Sequence, residues 1–150
     1  MTKTKLARGS TRGADLTVQA HAGAGMAKAI TLGWPPSGNR YWRIGAQGRP
    51  YRSGEAETYI EDTGWAMLRA GWTEPALETV SVRLRFMHDA GRRIDLDNGI
   101  KIVLDALQGF AYADDKQVVY IEAELVILPR KVTPFVEVVI APREARMREA

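Results

Sequence analysis

Between residues 80 and 107 the apolar side chains change their spacing once, and that change limits what this chain can fold into. Val80, Val82, Leu84 and Phe86 alternate with Ser81, Arg83 and Arg85, the period of a strand with one buried face. Ile100, Val103, Leu104 and Leu107 then recur at i, i+3, i+4 and i+7, the period of an amphipathic helix. Gly109 is placed to stop that helix after about three turns. A strand must therefore give way to a helix close to Asp95-Leu96-Asp97-Asn98, so the acidic residues of that stretch sit at a fixed point of the fold.

In extended backbone, side chains two apart point the same way, which gives Asp95 and Asp97 a common face with roughly 6.6 Å between their Cα atoms. That spacing suits one hard cation held between two carboxylates. Leu96-Asp97-Asn98 reads as the helix start, with Asp97 or Asn98 capping its free backbone N–H groups. The dipole there favours carboxylate or bound phosphate, typically by ~0.3–1 kcal/mol at exposed sites. Lys101 lies one turn after Asp97 on the same face, within reach of a metal-bound phosphate. The same residues also fit a plain reading: a cap, a solvated carboxylate, and an ion pair from Lys101 to Asp105 at i+4.

The remaining chain reads as scaffold. Ile30, Leu32 and Trp34 alternate with Thr31 and Gly33 as a first strand, which Pro35-Pro36 ends. The loop after it interleaves Asn39, Arg40, Arg43, Arg49 and Arg52 with Tyr41 and Trp42, a mixture able to hold phosphate oxygens and stack an unpaired base. Rings beside a strand also serve as core packing. Ser53 caps a second helix with Glu55 and Glu57 in its first turn, a buried stripe of Ala56, Tyr59, Ile60, Thr63 and Met67, and Gly71 at its end. His88 falls in a turn leading to Arg92-Arg93, so Arg83, Arg85, Arg92 and Arg93 flank the approach to Asp95 as candidate DNA contacts. Val118 to Leu128 is a long strand, and Phe135 to Ile140 is expected as its antiparallel neighbour. Glu122 and Glu124 read as solvated carboxylates on its wet face. The expected fold is a small single α/β domain, with two main helices packed on a mixed sheet.

The chain has 150 residues, enough for one domain with its own core. It has no cysteine, which excludes disulfides and thiolate metal sites. No apolar run approaches the ~18 residues of a membrane span, and a soluble cytoplasmic protein is expected. Basicity is local: residues 1–28 carry net +4, while the remaining 122 carry −1. Residues 1–28 are expected to be a disordered basic leader, with Met26 as an alternative start, and residues 143–150 a charged, fraying tail around a folded 29–142.

Two ordered motifs carry a resemblance. Trp34-Pro35-Pro36-Ser37-x-Asn39-Arg40-Tyr41-Trp42, and then Asp95-Leu96-Asp97-Asn98 with Lys101, Asp105-Ala106-Leu107, Gly109 and Asp114-Asp115-x-Gln117-Val118, together resemble the RusA-type Holliday junction resolvases. The resemblance runs from about residue 30 to about residue 140. It implies a bacterial or phage source, a homodimer, and a four-way DNA junction as substrate, cut by paired phosphodiester hydrolysis.

If Asp95, Asp97 and Asp115 converge, they form an all-oxygen site, which selects Mg²⁺, or Mn²⁺ in its place, over zinc. Asp115 rather than Asp114 is expected to complete the set, because adjacent residues entering the Val118 strand point to opposite sides and the resemblance aligns the family's third acidic ligand with Asp115. Lys101 joins the catalytic group by stabilising the phosphate oxygens. Two other classes stay open: a junction-binding protein without catalysis, and a metal-dependent nuclease or phosphatase acting on other branched, single-stranded or small phosphoester substrates.

Overall fold

The computed structural model describes residues 26–90 and 95–149. The first strand, β1, is Lys28–Gly33, so Lys28 belongs to the sheet rather than to the leader. The stretch expected to be one loop holds a single helical turn, α1 (Gly38–Tyr41), and a hairpin of β2 (Trp42–Ile44) and β3 (Pro50–Arg52). Helix α2 (Gly54–Arg69) starts at Ser53, whose hydroxyl accepts from the Ala56 amide, and buries Ala56, Tyr59, Thr63 and Met67. Strand β4 (Val80–Asp89) carries the alternation two residues beyond Phe86, so His88 lies on its buried face and not in a turn. Helix α3 (Leu96–Leu107) follows, then one 3₁₀ turn at Asp115–Gln117, then β5 (Val118–Leu128) and β6 (Phe135–Pro142).

The main sheet has the order β1-β6-β4-β5. β4 runs parallel to β5 and antiparallel to β6, and β1 runs antiparallel to β6. The expected pairing of β5 with β6 is thereby corrected. A short link would favour a hairpin, but β4 is inserted between them and leaves β5 at the edge. A parallel pair needs a crossover, and α3 provides it, running back from the end of β4 toward the start of β5.

One core lies between the sheet and its helices. Val80, Val82, Leu84 and Phe86 of β4 and Val136, Val138 and Ile140 of β6 meet Ile102, Val103, Ala106 and Leu107 of α3 and Met67 of α2. The most buried stripe on α3 is turned from the expected one: Ile102 and Ala106 are buried, whereas Ile100 and Leu104 are half-buried. Gly109 ends the helix with φ +90°, a left-handed conformation that glycine adopts without steric cost. The sheet's other face is charged. Arg83 pairs with Glu122 at 3.2 Å and Arg85 with Glu124 at 2.6 Å, across β4 and β5. Glu122 and Glu124 are therefore cross-strand partners rather than simply solvated carboxylates.

Arg143 is held where a fraying tail was expected. Its backbone exchanges bonds with Thr79, and its guanidinium lies 3.8 Å from the centre of the Tyr120 ring. Among the described residues no helix is long and apolar enough to cross a membrane.

Candidate active site

Asp95, neither Asp97 nor Asn98, caps α3. Its backbone is extended, and its carboxylate accepts from the Asn98 amide N at 3.4 Å and from the Asn98 side-chain Nδ2 at 2.7 Å. The signal was present in the sequence: an aspartate three residues before a polar amide, the spacing at which a cap reaches the third helical N–H. Asp97 is already in the first turn, so the two carboxylates follow helical rather than strand spacing. Both are exposed at the positive end of the helix dipole.

The loop from Trp34 to Arg40 closes over this helix start. Together they line a groove of about 410 Å³ that includes Arg40, Asp95 and Asn98, with Phe86 and His88 contributed by β4. Packing fixes its walls. A Cβ at Gly38 would come 3.1 Å from the Asn98 amide, and one at Gly99 would come 3.0 Å from the Phe86 ring. His88, only 2% exposed, stacks edge-on against Trp34 at 5.2 Å and contacts its neighbour Asp89. His88 was missed as part of the site, because the strand runs two residues past Phe86, its last buried apolar residue.

A second cavity, about 300 Å³, lies on the other side of Asn98. Asn39, Tyr41 and Trp42 line it from one side and Lys101 and Asp105 from α3. Among the described residues no ion pair joins Lys101 to Asp105, so the ammonium faces this cavity without that partner. The Tyr41 hydroxyl is buried there without a hydrogen-bond acceptor or donor. Burial raises its pKa, and the nearby Arg52 guanidinium pulls the other way.

The acidic residues do not all meet. Asp114 caps the 3₁₀ turn, accepting from the Lys116 amide at 2.9 Å, while Gln117 reaches back to the Ala113 and Asp114 amides. That amide holds the Asp114 carboxyl below the usual aspartate range. Asp115 begins the turn, so strand alternation does not extend back to it. The turn is tied to the chain just before β4: Gln117 donates to the Ala76 and Glu78 carbonyls at 2.7 and 2.9 Å, and Val118 sits opposite Val80. Asp95 lies past the other end of β4. The length of α3, about 18 Å for 12 residues, separates the two acidic pairs. Among the described residues no three carboxylates or imidazoles converge on a metal position; the chain brings Asp95 and Asp97 together at the start of α3 and holds Asp115 beyond its far end.

The arginines divide in the same way. Arg40 lines the groove and Arg43 stands on the exposed hairpin, whereas Arg83 and Arg85 are ion-paired on the far face of the sheet. Arg92 and Arg93 lie outside the described residues, as does the expected disordered leader up to residue 25.

The chain is similar to known proteins over most of its folded part. Residues 33–141 match the family model described as endodeoxyribonuclease RusA. A crossover junction endodeoxyribonuclease RusA of Escherichia coli K12 is 41% identical over 97 residues, covering 61% of this chain and 76% of that protein. The proteins of the same name from Shigella sonnei and from enterobacteria phage 82 are each 41% identical, over 97 and 96 residues.

Proposed function

Since the chain belongs to the RusA endodeoxyribonuclease family, we propose that it is a structure-specific endodeoxyribonuclease that resolves four-way DNA junctions by hydrolysing phosphodiesters in Mg²⁺. The observation that carries the reading is the joint wall of the groove, where Arg40 of the first motif meets Asp95 and Asn98 of the second. Two stretches some sixty residues apart in sequence thus line one cleft.

The donor set fits a hard cation in part. Asp95 and Asp97 offer carboxylate oxygens at the start of α3, and the Asn98 amide holds the Asp95 carboxylate in place. A cation bound there would supply positive charge for the phosphate and a lowered pKa for an attacking water. The positive end of the α3 dipole would favour the same phosphate. Lys101 stabilises the phosphate oxygens from the second cavity, and Asn39, Arg40, Arg43, Arg92 and Arg93 hold the neighbouring backbone. Arg83 and Arg85 are left out of the contact set because glutamates already neutralise them.

Asp115 joins the site in a homodimer. β5 is a long edge strand with one side unpaired among the described residues, and its Ile121 and Ile127 are exposed. Antiparallel pairing of two β5 edges about a twofold axis would bring Asp115 of one copy toward the Leu128 end of the other. Leu128 lies beside Asp89, close in sequence to that copy's Asp95. Each site would then draw Asp95 and Asp97 from one copy and Asp115 from the second, and the two sites would face opposing strands of a symmetric junction.

Incubating an end-labelled mobile four-way junction with and without Mg²⁺, in competition with duplex and single strand, tests the proposal. Paired, Mg²⁺-dependent incisions near the branch point are expected. Cleavage of duplex or single strand at the same rate, or none in Mg²⁺ or Mn²⁺, would overturn it.

A further inference from the structure

The β2–β3 hairpin is built unlike the rest of the molecule. All six of its strand residues are exposed, among them Trp42 at 43%, Ile44 at 78% and Tyr51 at 54%. Between residues 38 and 54 the chain carries four arginines and no carboxylate. The cross-strand register pairs Trp42 with Arg52, Arg43 with Tyr51 and Ile44 with Pro50. One face therefore presents Trp42, Ile44 and Pro50, with Arg52 at its base, and the other presents Arg43 and Tyr51.

A two-stranded hairpin is marginally stable by itself, and this one is held at its base. The Ser53 amide donates to the Tyr41 carbonyl at 2.9 Å, the Ser53 hydroxyl to the Arg40 carbonyl, and Trp42 packs edge-on against Tyr41 at 5.2 Å. Toward the tip, the Gly45 amide bonds the Arg49 carbonyl at 2.9 Å and Gly48 takes φ +71°, which closes a tight turn. The strand ends are fixed while the apolar tip stands in solvent. Exposed apolar groups clustered in this way mark a surface that meets something.

Charge and position both point to one occupant. Guanidinium groups interleaved with flat rings and free of carboxylates match nucleic acid, where arginines take phosphates and rings stack on bases. Trp42 also lines the same cavity as Lys101 and Asn98, so the hairpin rises directly beside the proposed cleavage centre. We propose that the β2–β3 hairpin is a wedge that enters the branch point of the junction. Ile44 at its tip separates base steps, Trp42 and Tyr51 stack on the bases so released, and Arg43 and Arg49 hold the flanking phosphates. Insertion of an apolar side chain between base steps unstacks and kinks DNA, and it costs least where bases are already unpaired. The hairpin thus selects branched DNA over duplex. This inference rests on the junction-resolving reading above and assigns it a residue-level source of selectivity.

The test uses the full-length protein and compares wild type, Ile44→Ser and Trp42→Ala in Ca²⁺, on a four-way junction and on a duplex of the same sequence. Permanganate reactivity of branch-point thymines and sedimentation are measured in parallel. The expected result is a loss of junction affinity of about ten-fold, the scale of one lost base–aromatic stack, with duplex affinity unchanged. Thymine reactivity at the branch should rise on binding wild type and not on binding Ile44→Ser. Unchanged junction affinity and thymine reactivity in both variants would overturn the wedge, as would equal losses on junction and duplex. Conversion of the variants to monomers would also overturn it by making the hairpin a surface for a second copy. Because both substitutions lie on exposed strand positions, matching thermal melts confirm folding. Wild-type cleavage of the same junction in Mg²⁺ reports separately on the junction-resolving function.

Discussion

The two ends of α3 carry the same local device and differ in what surrounds it. At the start, Asp95 caps the helix and Asp97 follows inside the first turn; past its end, Asp114 caps a 3₁₀ turn and Asp115 begins it. In each pair the first carboxylate holds backbone and the second stands exposed. The start of α3 opens on a groove of about 410 Å³ walled by Arg40, Asn98 and buried His88, whereas the Asp114 turn is spent on structure, with Gln117 tying it to Ala76 and Glu78. An acidic pair at a helix start is therefore not enough to define a site. The surrounding packing decides which pair can surround a ligand and which can only lend a side chain to one.

The largest effect that could break this comparison is loss of the exposed carboxylate at the groove. Asp97→Asn should reduce single-turnover junction cleavage by ~10³-fold or more, since metal-borne charge stabilisation amounts to several kcal/mol. Junction binding should persist, because the substitution also removes a negative charge near the phosphates. Cleavage near the wild-type rate would move the site elsewhere.

Subunit mixing sharpens it next. Asp97→Asn and Asp115→Asn proteins, each inactive alone, should regain about a quarter of wild-type nicking when randomly mixed, because half the dimers then hold one intact site of two. If both acidic pairs served the same chain, every mixed site would stay defective and no activity would return.

A smaller effect separates the arginines. Arg40→Ala should weaken junction binding by roughly ten-fold, the scale of one lost charge-assisted contact. Arg85→Ala should change it by about two-fold or less, because its partners are Glu124 and Glu137 in a half-exposed network. Equal losses in filter binding would place both faces of the sheet on DNA.

The smallest effect concerns pH. The Lys116 amide lowers the Asp114 carboxyl in the folded state, so the ionised form adds stability above the unfolded value, near pH ~4. That contribution disappears as pH falls through the lowered folded value. Asp114→Asn should melt slightly below wild type at neutral pH, with the gap closing under acid. A gap independent of pH would show that hydrogen-bond geometry rather than charge holds the turn.

Local pattern made most elements legible. Alternation through Val80–Phe86, the 3.6-residue spacing after Ile100, the Ser53 cap and the stop at Gly109 each depend on neighbours along the chain, and each stands in the structure close to where the pattern placed it. The hairpin was missed because Trp42, Ile44 and Tyr51 do not alternate toward any core, and turn chemistry at Gly45 and Gly48 alone marks it. Arg83 and Arg85 read as open basic residues because their glutamates lie 39 positions further on.

The main strands and helices, the Ser53 cap and the two motifs were legible in the sequence alone, because these rest on side chains within a turn or two of one another and on recognisable order. Only the tertiary structure decided which strands are neighbours and which residues share a cleft. Inserting β4 between β5 and β6 makes the pairing with β5 parallel, forces α3 to run the length of the sheet, and so carries Asp115 away from Asp95. The physical reason is that strand order is set by how the chain covers one apolar face of the sheet, a sum over contacts distant in sequence that no local spacing records.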